Sequence, residues 1–380
     1  MKTLVIAVKA VVVAVVLAAC TEGDTCACTA ADRGSVAYVL GTHANRPAVA
    51  SPDLLDDAVD RQATLAVVRA DGKPEVVITA DLVSRAPGPD ARNKEVRDRK
   101  ADLRAKLSSV RPTTAELDLL AAIELGARSL ERKPKTMVVE SSGLSTAGAL
   151  SFGKPGMLMA APKEVADALE RGGHLPILGG IRVTLRGLGD VMPPQQVLST
   201  PERSNLIAIW KEVLTRAGAD VQPPDQRPMN GPAWTEVPPV ATVPVTPASV
   251  DLGRLEDRET RPLPAAAFFV ADSADLLDRA DAVEVLRLFA EHVRRSGGRL
   301  DLVGTTARVG DRSGQVSLST DRANALRTLL VDELGVPGDR VGASGVGSFH
   351  PDYVVDHDDQ GHLLPDKAAL NRTVRVTVHN

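Results

Sequence analysis

A proline-rich stretch near the middle of the chain constrains the fold most strongly. Residues 238–247 have the sequence PPVATVPVTP, with proline at four of ten positions. Each proline fixes its own backbone and biases the preceding residue toward an extended conformation, so no helix or central strand can run through. We therefore predict an interdomain linker over residues 223–262, between one folded domain at 34–222 and another at 263–380. A chain of 380 residues is long enough for two domains with sizeable cores.

The first twenty residues have the pattern of an export signal. Lys2 and Lys9 precede an apolar run over residues 10–19, which is too short for a comfortable membrane span. The run ends in LAAC at Cys20, which resembles a bacterial lipobox, where the cysteine thiol is acylated. This resemblance implies a signal peptide at 1–19, lipidation such as palmitate at Cys20, and a tether at 20–33. The alternative is an ordinary signal peptide with an incidental cysteine.

Cysteine usage and charge exclude several classes of protein. Cys26 and Cys28 are either unpaired residues of the tether or a thiol pair in an oxidising compartment, and a metal site needs more ligands than two. No other cysteine follows, so neither domain can contain an internal disulfide. A formal net charge of -4 gives no reason to expect nucleic acid as a partner. Aromatic residues make up only 2%, so the cores must be built from aliphatic side chains.

Strand and helix patterns alternate in the first domain, which indicates an α/β fold. Asp71-Gly72 is a good hairpin turn between two apolar strands. Thr113 with Glu116 forms a plausible capping box for a helix that ends near Leu130. The predicted strands are 36–40, 65–69, 76–79, 136–140 and 181–185, and the predicted helices are 91–108, 113–130, 162–171 and 202–217.

Three segments of this domain, 38–45, 137–143 and 183–189, are together similar to a von Willebrand factor A domain. The resemblance implies a three-layer α/β domain. In that family an Asp-x-Ser-x-Ser motif after the first strand holds a divalent metal, and a later Asp completes the site. The matching positions here are Gly41, His43 and Asn45, with Ser142 near the later Asp. Because the hard oxygen ligands that Mg²⁺ prefers are missing, we expect a degenerate site without metal or cofactor.

No constellation in the first domain indicates catalysis. Ser145 lies in GLSTAG, which is not the Gly-x-Ser-x-Gly pattern of a nucleophile elbow. His43 and His174 have no carboxylate or cysteine at ligand spacing. We therefore predict that the chain is not an enzyme and that residues 34–222 present a surface to a protein partner.

The last third of the chain has an α+β pattern. Apolar residues at 282, 286, 289 and 293 lie on one face of a helix that Gly297-Gly298 ends. A second helix is predicted to open at Ser319 as its N-cap. Apolar alternation at 374, 376 and 378 predicts a half-buried closing strand. The other predicted strands are 265–270, 299–304 and 341–345.

This pattern and its motifs resemble the OmpA C-terminal-like family over about 115 residues. The resemblance implies noncovalent binding of peptidoglycan, with the stem-peptide diaminopimelate held as a zwitterion. It assigns Arg322 to the ligand carboxylate, for which a planar guanidinium is well suited. Asp272, Thr306, Asn371 and Arg372 complete the predicted site. The matching segments are 268–272, 303–307, Gly310, LSTDRA at 318–323, 345–347 and ALNRTV at 369–374.

Two positions depart from the family pattern. The Asp that receives the ligand ammonium is Ala307 here, and the usual Asn is Gln315. Loss of one charge partner in a desolvated ion site commonly costs a few kcal/mol. Asp272 or Asp311 could supply the missing charge. The alternative for Arg322 is a surface salt bridge, with Asp321 or Asp275.

The sequence thus predicts a lipid-anchored protein on the extracytoplasmic face of the cell membrane or outer membrane. It would bind peptidoglycan through residues 263–380 and tether membrane to wall. The alternative is an envelope assembly or secretion scaffold that has lost diaminopimelate binding. A hydrolase would need a triad or metal site that the sequence does not offer.

Overall fold

The computed structural model describes residues 33–43, 52–225, 236–245 and 257–380. The predicted signal peptide, Cys20, Cys26 and Cys28 lie outside the described residues. Within those ranges, no helix combines the length and apolar character needed to cross a membrane.

A six-stranded sheet forms the centre of the first domain, in the order β3-β2-β1-β4-β5-β6. β3 runs antiparallel to β2, and every other neighbouring pair is parallel. Doubly wound α/β sheets share this strand order. The strands are β1 (Ser35–Gly41), β2 (Thr64–Ala70), β3 (Glu75–Asp81), β4 (Lys135–Glu140), β5 (Ile181–Arg186) and β6 (Asp220–Val221), and the helices are α1 (Pro52–Asp60), α2 (Pro89–Ser109), α3 (Leu119–Arg128), α4 (Pro162–Arg171) and α5 (Thr200–Arg216).

Alternate residues of β1 enter two separate cores. Val36, Tyr38 and Leu40 pack with residues of α1 and α2, whereas Ala37 and Val39 pack with residues of α3, α4 and α5. All seven residues of β1 are buried. Burial on both faces explains why this strand is a continuous apolar run rather than an alternating one.

The predicted capping box of the first domain is wrong. α3 begins at Leu119, and Asp118 is its N-cap because its side chain accepts the N–H of Ala121. Thr113 instead donates its N–H and hydroxyl to Asp71, at 2.9 and 2.8 Å. Asp71 lies in the hairpin turn between β2 and β3, so a long-range contact replaces the local cap.

Part of the predicted linker packs on the first domain. Residues 236–245 contain neither helix nor strand. Val243 is buried in the first-domain core. The side-chain amide of Gln195 accepts the N–H of Val243 at 2.8 Å and donates to its carbonyl at 3.1 Å. The N–H of Ala241 also donates to the carbonyl of Ala115. These contacts fix the segment as a strap along the first domain.

The second domain has a four-stranded sheet in the order β7-β10-β8-β9. β8 and β9 are parallel, and β10 runs antiparallel to both of its neighbours. The core contains leucines, valines and phenylalanines from the sheet, from α7 and from α8. The strands are β7 (Thr260–Pro264), β8 (Arg299–Gly304), β9 (Val341–Gly345) and β10 (Thr373–His379), and the helices are α6 (Ala265–Phe268), α7 (Arg279–Ser296), α8 (Arg312–Thr328) and α9 (Pro365–Asn371).

Two predictions for the second domain are wrong. Residues 265–268 form the short helix α6, and the edge strand β7 precedes it, starting at Thr260 within the predicted linker. α8 begins at Arg312 rather than near Ser319, because Asp311 caps it by accepting the N–H of Gly314 at 2.8 Å. Ser319 is buried inside this helix, where its hydroxyl accepts the N–H of Gly347.

The two domains contact each other through α9. Ala369 of α9 is part of the first-domain core. Gly156 has φ 90°, and a Cβ at this position would lie 2.2 Å from the carbonyl oxygen of Asp366. Only glycine allows so close an approach of the two backbones. α4 lies beside the same contact, through Glu164.

Candidate ligand pocket

Arg322 is the central cation of the candidate site. It lies on the inner side of α8 and is 4% exposed. Its Nε donates to the carbonyl of Ser273 at 2.8 Å, and its guanidinium carbon lies 5.5 Å from the ring centre of Phe269. Burial, and then the charge of Arg372, lower the pKa of Arg322 to about 10. A desolvated cation of this kind favours an anionic ligand.

No salt bridge joins Arg322 to another described residue. In particular, neither Asp275 nor Asp321 pairs with it, and their carboxylates accept hydrogen bonds from the hydroxyls of Ser273 and Ser317. The surface salt bridge considered for Arg322 is therefore not present. Within the described part of the chain, only the Nε of Arg322 has a hydrogen-bond partner.

Arg322 lines a cavity of about 480 Å³ between the two domains. The second domain contributes Asp272, Arg372 and the segments 264–266 and 269–271 to its lining. The first domain contributes Met159, the start of α4, and Asn205. Of the five residues predicted to bind peptidoglycan, the cavity brings together Arg322, Asp272 and Arg372.

Asp272 supplies a carboxylate to this cavity. Its charge raises the pKa of Arg322 against the larger effect of burial, so the two groups lie within electrostatic reach. The residue is exposed. Its backbone has φ 53°, a left-handed conformation that is uncommon outside glycine and costs on the order of 1 kcal/mol. The next residue, Ser273, offers its carbonyl to Arg322, so this turn positions both groups.

Arg372 is paired with an acid of the first domain. Its Nη1 and Nη2 donate to the two carboxylate oxygens of Glu164, at 2.8 and 2.5 Å. The side chains are only 18% and 21% exposed. Two parallel charge-assisted bonds in a largely dry setting make this a strong contact.

Thr306 and Asn371 are not among the described residues that line this cavity. Asn371 is buried and holds the loop before α9, by accepting the N–H of Val354 and donating to its carbonyl. It also donates to Asp356 at 3.0 Å. The N–H of Thr306 donates to the carbonyl of Gly347, and its buried hydroxyl finds no partner among the described residues.

Asp356 lies near Ala307, the position where the family pattern has an Asp, but its carboxylate is engaged by other residues. Asp356 accepts the N–H of Arg308 and also bonds to Tyr353, Asn371 and His357. Burial raises the pKa of the Asp356 carboxyl, but these bonds together hold it below its ordinary value. Asp356 is therefore an anion whose oxygens are already occupied.

The remaining candidates near this loop are also engaged. Asp311 caps α8. Hydrogen bonds from Ser313 and Gly314 hold the pKa of its carboxyl below the ordinary value. Gln315 donates to the carbonyl of Gly310 and accepts the hydroxyl of Ser348. Asp272 is therefore the better placed of the two acids considered as replacements, because it lines the cavity.

Two residues of the candidate metal position in the first domain, His43 and Ser142, contact each other. Nε2 of His43 lies 2.9 Å from Oγ of Ser142, and both side chains are buried. Ser145 is buried as well, and its hydroxyl accepts the N–H of Leu119 at the start of α3. Within the described ranges, no three His, Cys, Asp or Glu side chains are grouped to hold a metal ion. Asn45 lies outside the described residues.

Residues 268–361 match the OmpA family. The C-terminal domain is thus OmpA-like, with Arg322, Asp272 and Thr306 inside the matched region and Asn371 and Arg372 beyond it. Comparison with curated proteins gives no match.

Several solved structures are similar over about a third of this chain. The peptidoglycan-associated lipoprotein from Burkholderia pseudomallei is 23% identical, covering 30% of this chain and 87% of that one, with a TM-score of 0.24. The cell wall anchor of the T6SS from Pseudomonas aeruginosa is 24% identical, covering 32% and 82%, with a TM-score of 0.26. A putative MotB-like protein from Desulfovibrio vulgaris is 20% identical, covering 32% and 74%, with a TM-score of 0.27.

Glu164 is the part of the site that sequence reasoning missed. It lies in the first turn of α4, 208 positions before Arg372. An acid in the first helical turn has an ordinary explanation in the helix dipole. Nothing in the local pattern therefore indicated a contact with the second domain.

Proposed function

We propose that this chain is a cell-envelope protein that binds peptidoglycan noncovalently through its OmpA-like domain. Arg322 carries this proposal, because it is a buried guanidinium that opens into a cavity and pairs with no described acid. The ligand is the diaminopimelate of the stem peptide, whose free end has one carboxylate and one ammonium. Arg322 receives the carboxylate through two charge-assisted bonds.

Asp272 receives the ammonium of the same ligand end. It takes the role of the family Asp that is Ala307 in this chain. The support is its place on the cavity wall, its electrostatic coupling to Arg322 and its left-handed backbone. Thr306 and Asn371 act as supports of the loops around the pocket rather than as direct ligands.

The rest of the chain sets the location of this binding. Lipidation at Cys20, after removal of residues 1–19, places the protein on the extracytoplasmic face of a membrane. The wall-bound second domain then tethers that membrane to peptidoglycan. The first domain is von Willebrand A-like and binds a protein partner. Its strand order and the packed contact between His43 and Ser142 support a domain of this type that works without metal.

Cosedimentation of the full chain with diaminopimelate-containing sacculi tests the proposal. Arg322→Ala should weaken binding at least about tenfold, since it removes a bidentate charge-assisted pair. Arg295→Ala is the matched control, because Arg295 is an exposed arginine of α7 in the same domain. Equal binding by the parent and Arg322→Ala would refute the assigned role of Arg322.

Two further comparisons test the ligand chemistry. Asp272→Asn should weaken sacculus binding while leaving the fold intact, because the exposed amide keeps the shape but loses the charge. Walls whose stem peptides contain lysine should bind poorly, because the lysine side chain offers an ammonium without the carboxylate that Arg322 requires. Equal affinity for both wall types would contradict recognition of a zwitterion.

A second function is favoured by one observation, the alanine at position 307. Without the family carboxylate, the domain would serve as an envelope assembly or secretion scaffold that no longer binds diaminopimelate. Failure of the parent and of every variant described here to sediment with sacculi would support this function.

A further inference from the structure

The pocket rim has two potential occupants, the wall ligand and the first domain. Arg372 lies close enough to Arg322 for its charge to lower the pKa of Arg322. A ligand carboxylate that enters the cavity is therefore attracted by two guanidinium groups. Glu164 already occupies the hydrogen-bonding edge of one of them, Arg372, with both carboxylate oxygens.

The bidentate ion pair between Glu164 and Arg372 belongs to a continuous contact between the domains. Gly156 meets the carbonyl of Asp366 and the side chain of Leu370. Ala369 is buried against the first domain. Because Ala369 and Arg372 both line the cavity, this contact holds α4 beside the pocket while it is intact.

The cavity wall itself contains residues of the first domain. Met159, the segment 161–164 and Asp167 line it together with Arg322. A stem peptide reaches this cavity as part of a large wall polymer, so a wall contributed by another domain restricts its approach. The polar face needed for binding is thus partly covered by the chain itself.

We propose that the first domain gates the wall-binding pocket, with Glu164 acting as an internal competitor of the ligand carboxylate. This inference rests on the proposed function and goes beyond it. Docking of α4 and binding of diaminopimelate oppose each other. By thermodynamic reciprocity, a ligand that displaces Glu164 opens the domain contact, and a partner that holds the first domain away strengthens wall binding.

Glu164→Gln in the full chain tests the gate. The amide keeps the size of the side chain but removes its charge and one acceptor, so Arg372 is released. Sacculus affinity should rise about tenfold, which corresponds to 1.4 kcal/mol. Glu170→Gln is the matched control, because Glu170 lies on the same helix but pairs with Arg216 of the first domain. This control should bind as the parent does.

A second readout reports on the domain contact directly. Small-angle X-ray scattering should show a larger radius of gyration for Glu164→Gln than for the parent. Saturating free meso-diaminopimelate should expand the parent in the same way. Gly156→Ala provides an independent route to the open form if Glu164→Gln folds poorly, because it separates the same surfaces sterically.

The outcomes separate the gate from the proposed function. If the parent binds, Arg322→Ala does not, and Glu164→Gln binds no more tightly than the parent, the gate is wrong and the function stands. If neither the parent nor Glu164→Gln binds, both are wrong. If Glu164→Gln binds sacculi more tightly and is more expanded, while Glu170→Gln resembles the parent, the gate is supported.

Discussion

Gly156→Ala is the sharpest steric test of the domain contact. A Cβ at this position would lie 2.2 Å from the carbonyl oxygen of Asp366, whereas ordinary van der Waals contact begins at 3.4 Å. The two backbones must therefore separate by about 1.2 Å. If α9 moves as a unit, the 2.8 Å bond between Arg372 and Glu164 reaches about 4 Å, beyond hydrogen-bond distance.

The expected cost has two parts. Alanine at φ 90° costs about 1–2 kcal/mol in backbone strain. Loss of the largely buried, bidentate ion pair between Arg372 and Glu164 costs about a further 1–3 kcal/mol. Gly173→Ala separates the two, because Gly173 has φ 68° but nothing lies within 4 Å of an added Cβ. Only the strain should appear in that variant.

Small-angle scattering and sacculus binding of the two full-length variants provide the assay. Gly156→Ala should be more expanded than the parent and should bind sacculi more tightly. Gly173→Ala should match the parent in both measurements and lose only the strain energy of about 1–2 kcal/mol from its stability. The reasoning fails if the two variants are equally compact, because the domains would then not be held together at Gly156.

Two further predictions concern stability. Asp356→Asn should lower the free energy of unfolding by about 2–4 kcal/mol, because hydrogen bonds to a charged group contribute about 1.5–3 kcal/mol and the amide cannot accept all four. Since the folded pKa of Asp356 is lowered, its contribution is present above the unfolded carboxyl pKa of about 3.9 and is lost as pH falls. Urea unfolding followed by circular dichroism should therefore show the parent and this variant converging in acid. Trp210→Phe should cost about 1–3 kcal/mol, because it removes the 2.9 Å bond from the indole N–H to the carbonyl of Gly143. Calorimetry of the first-domain transition checks this, and an unchanged midpoint would contradict it.

The sequence predicted correctly the features that depend on neighbouring residues or on a strongly periodic apolar pattern. The turn at Asp71-Gly72 joins β2 and β3 as an antiparallel pair, as predicted. The apolar stripe of α7 is buried, and Gly297 ends the helix with φ 73°. These features follow from neighbours in the chain, so no knowledge of the tertiary structure was required.

The wrong predictions have two causes. A residue bonded to a partner distant in the chain, or another residue nearby provided the helix cap or the edge strand instead. Thr113 bonds to Asp71 in a different turn rather than capping a helix. Ser319 looked like an N-cap, but Asp311 captures the helix start earlier in the chain. Ala265–Phe268 is as apolar as a strand yet forms one helical turn, because Thr260–Pro264 already provides the edge strand.

The motif indicated some features of the candidate site, whereas others are visible only in the structure. The motif assigned Arg322 to a ligand carboxylate, which stays a prediction, and the structure shows that Arg322 lines a cavity. It did not separate Asn371, which braces a loop, from residues on the cavity wall. Glu164, the partner of Arg372, lies outside every matching motif, so only the folded chain reveals their contact.

The strap along the first domain limits how far the two domains can separate. Because Gln195 holds Val243, only twelve peptide steps connect Val245, the last described residue of the strap, to Asp257. Twelve peptide steps span at most about 40 Å. A connection of this length keeps α4 at an effective concentration in the millimolar range near Arg372. Under the proposed gate, a wall ligand must outcompete that value, so we expect a dense array of stem peptides to open the contact more readily than a dilute fragment does.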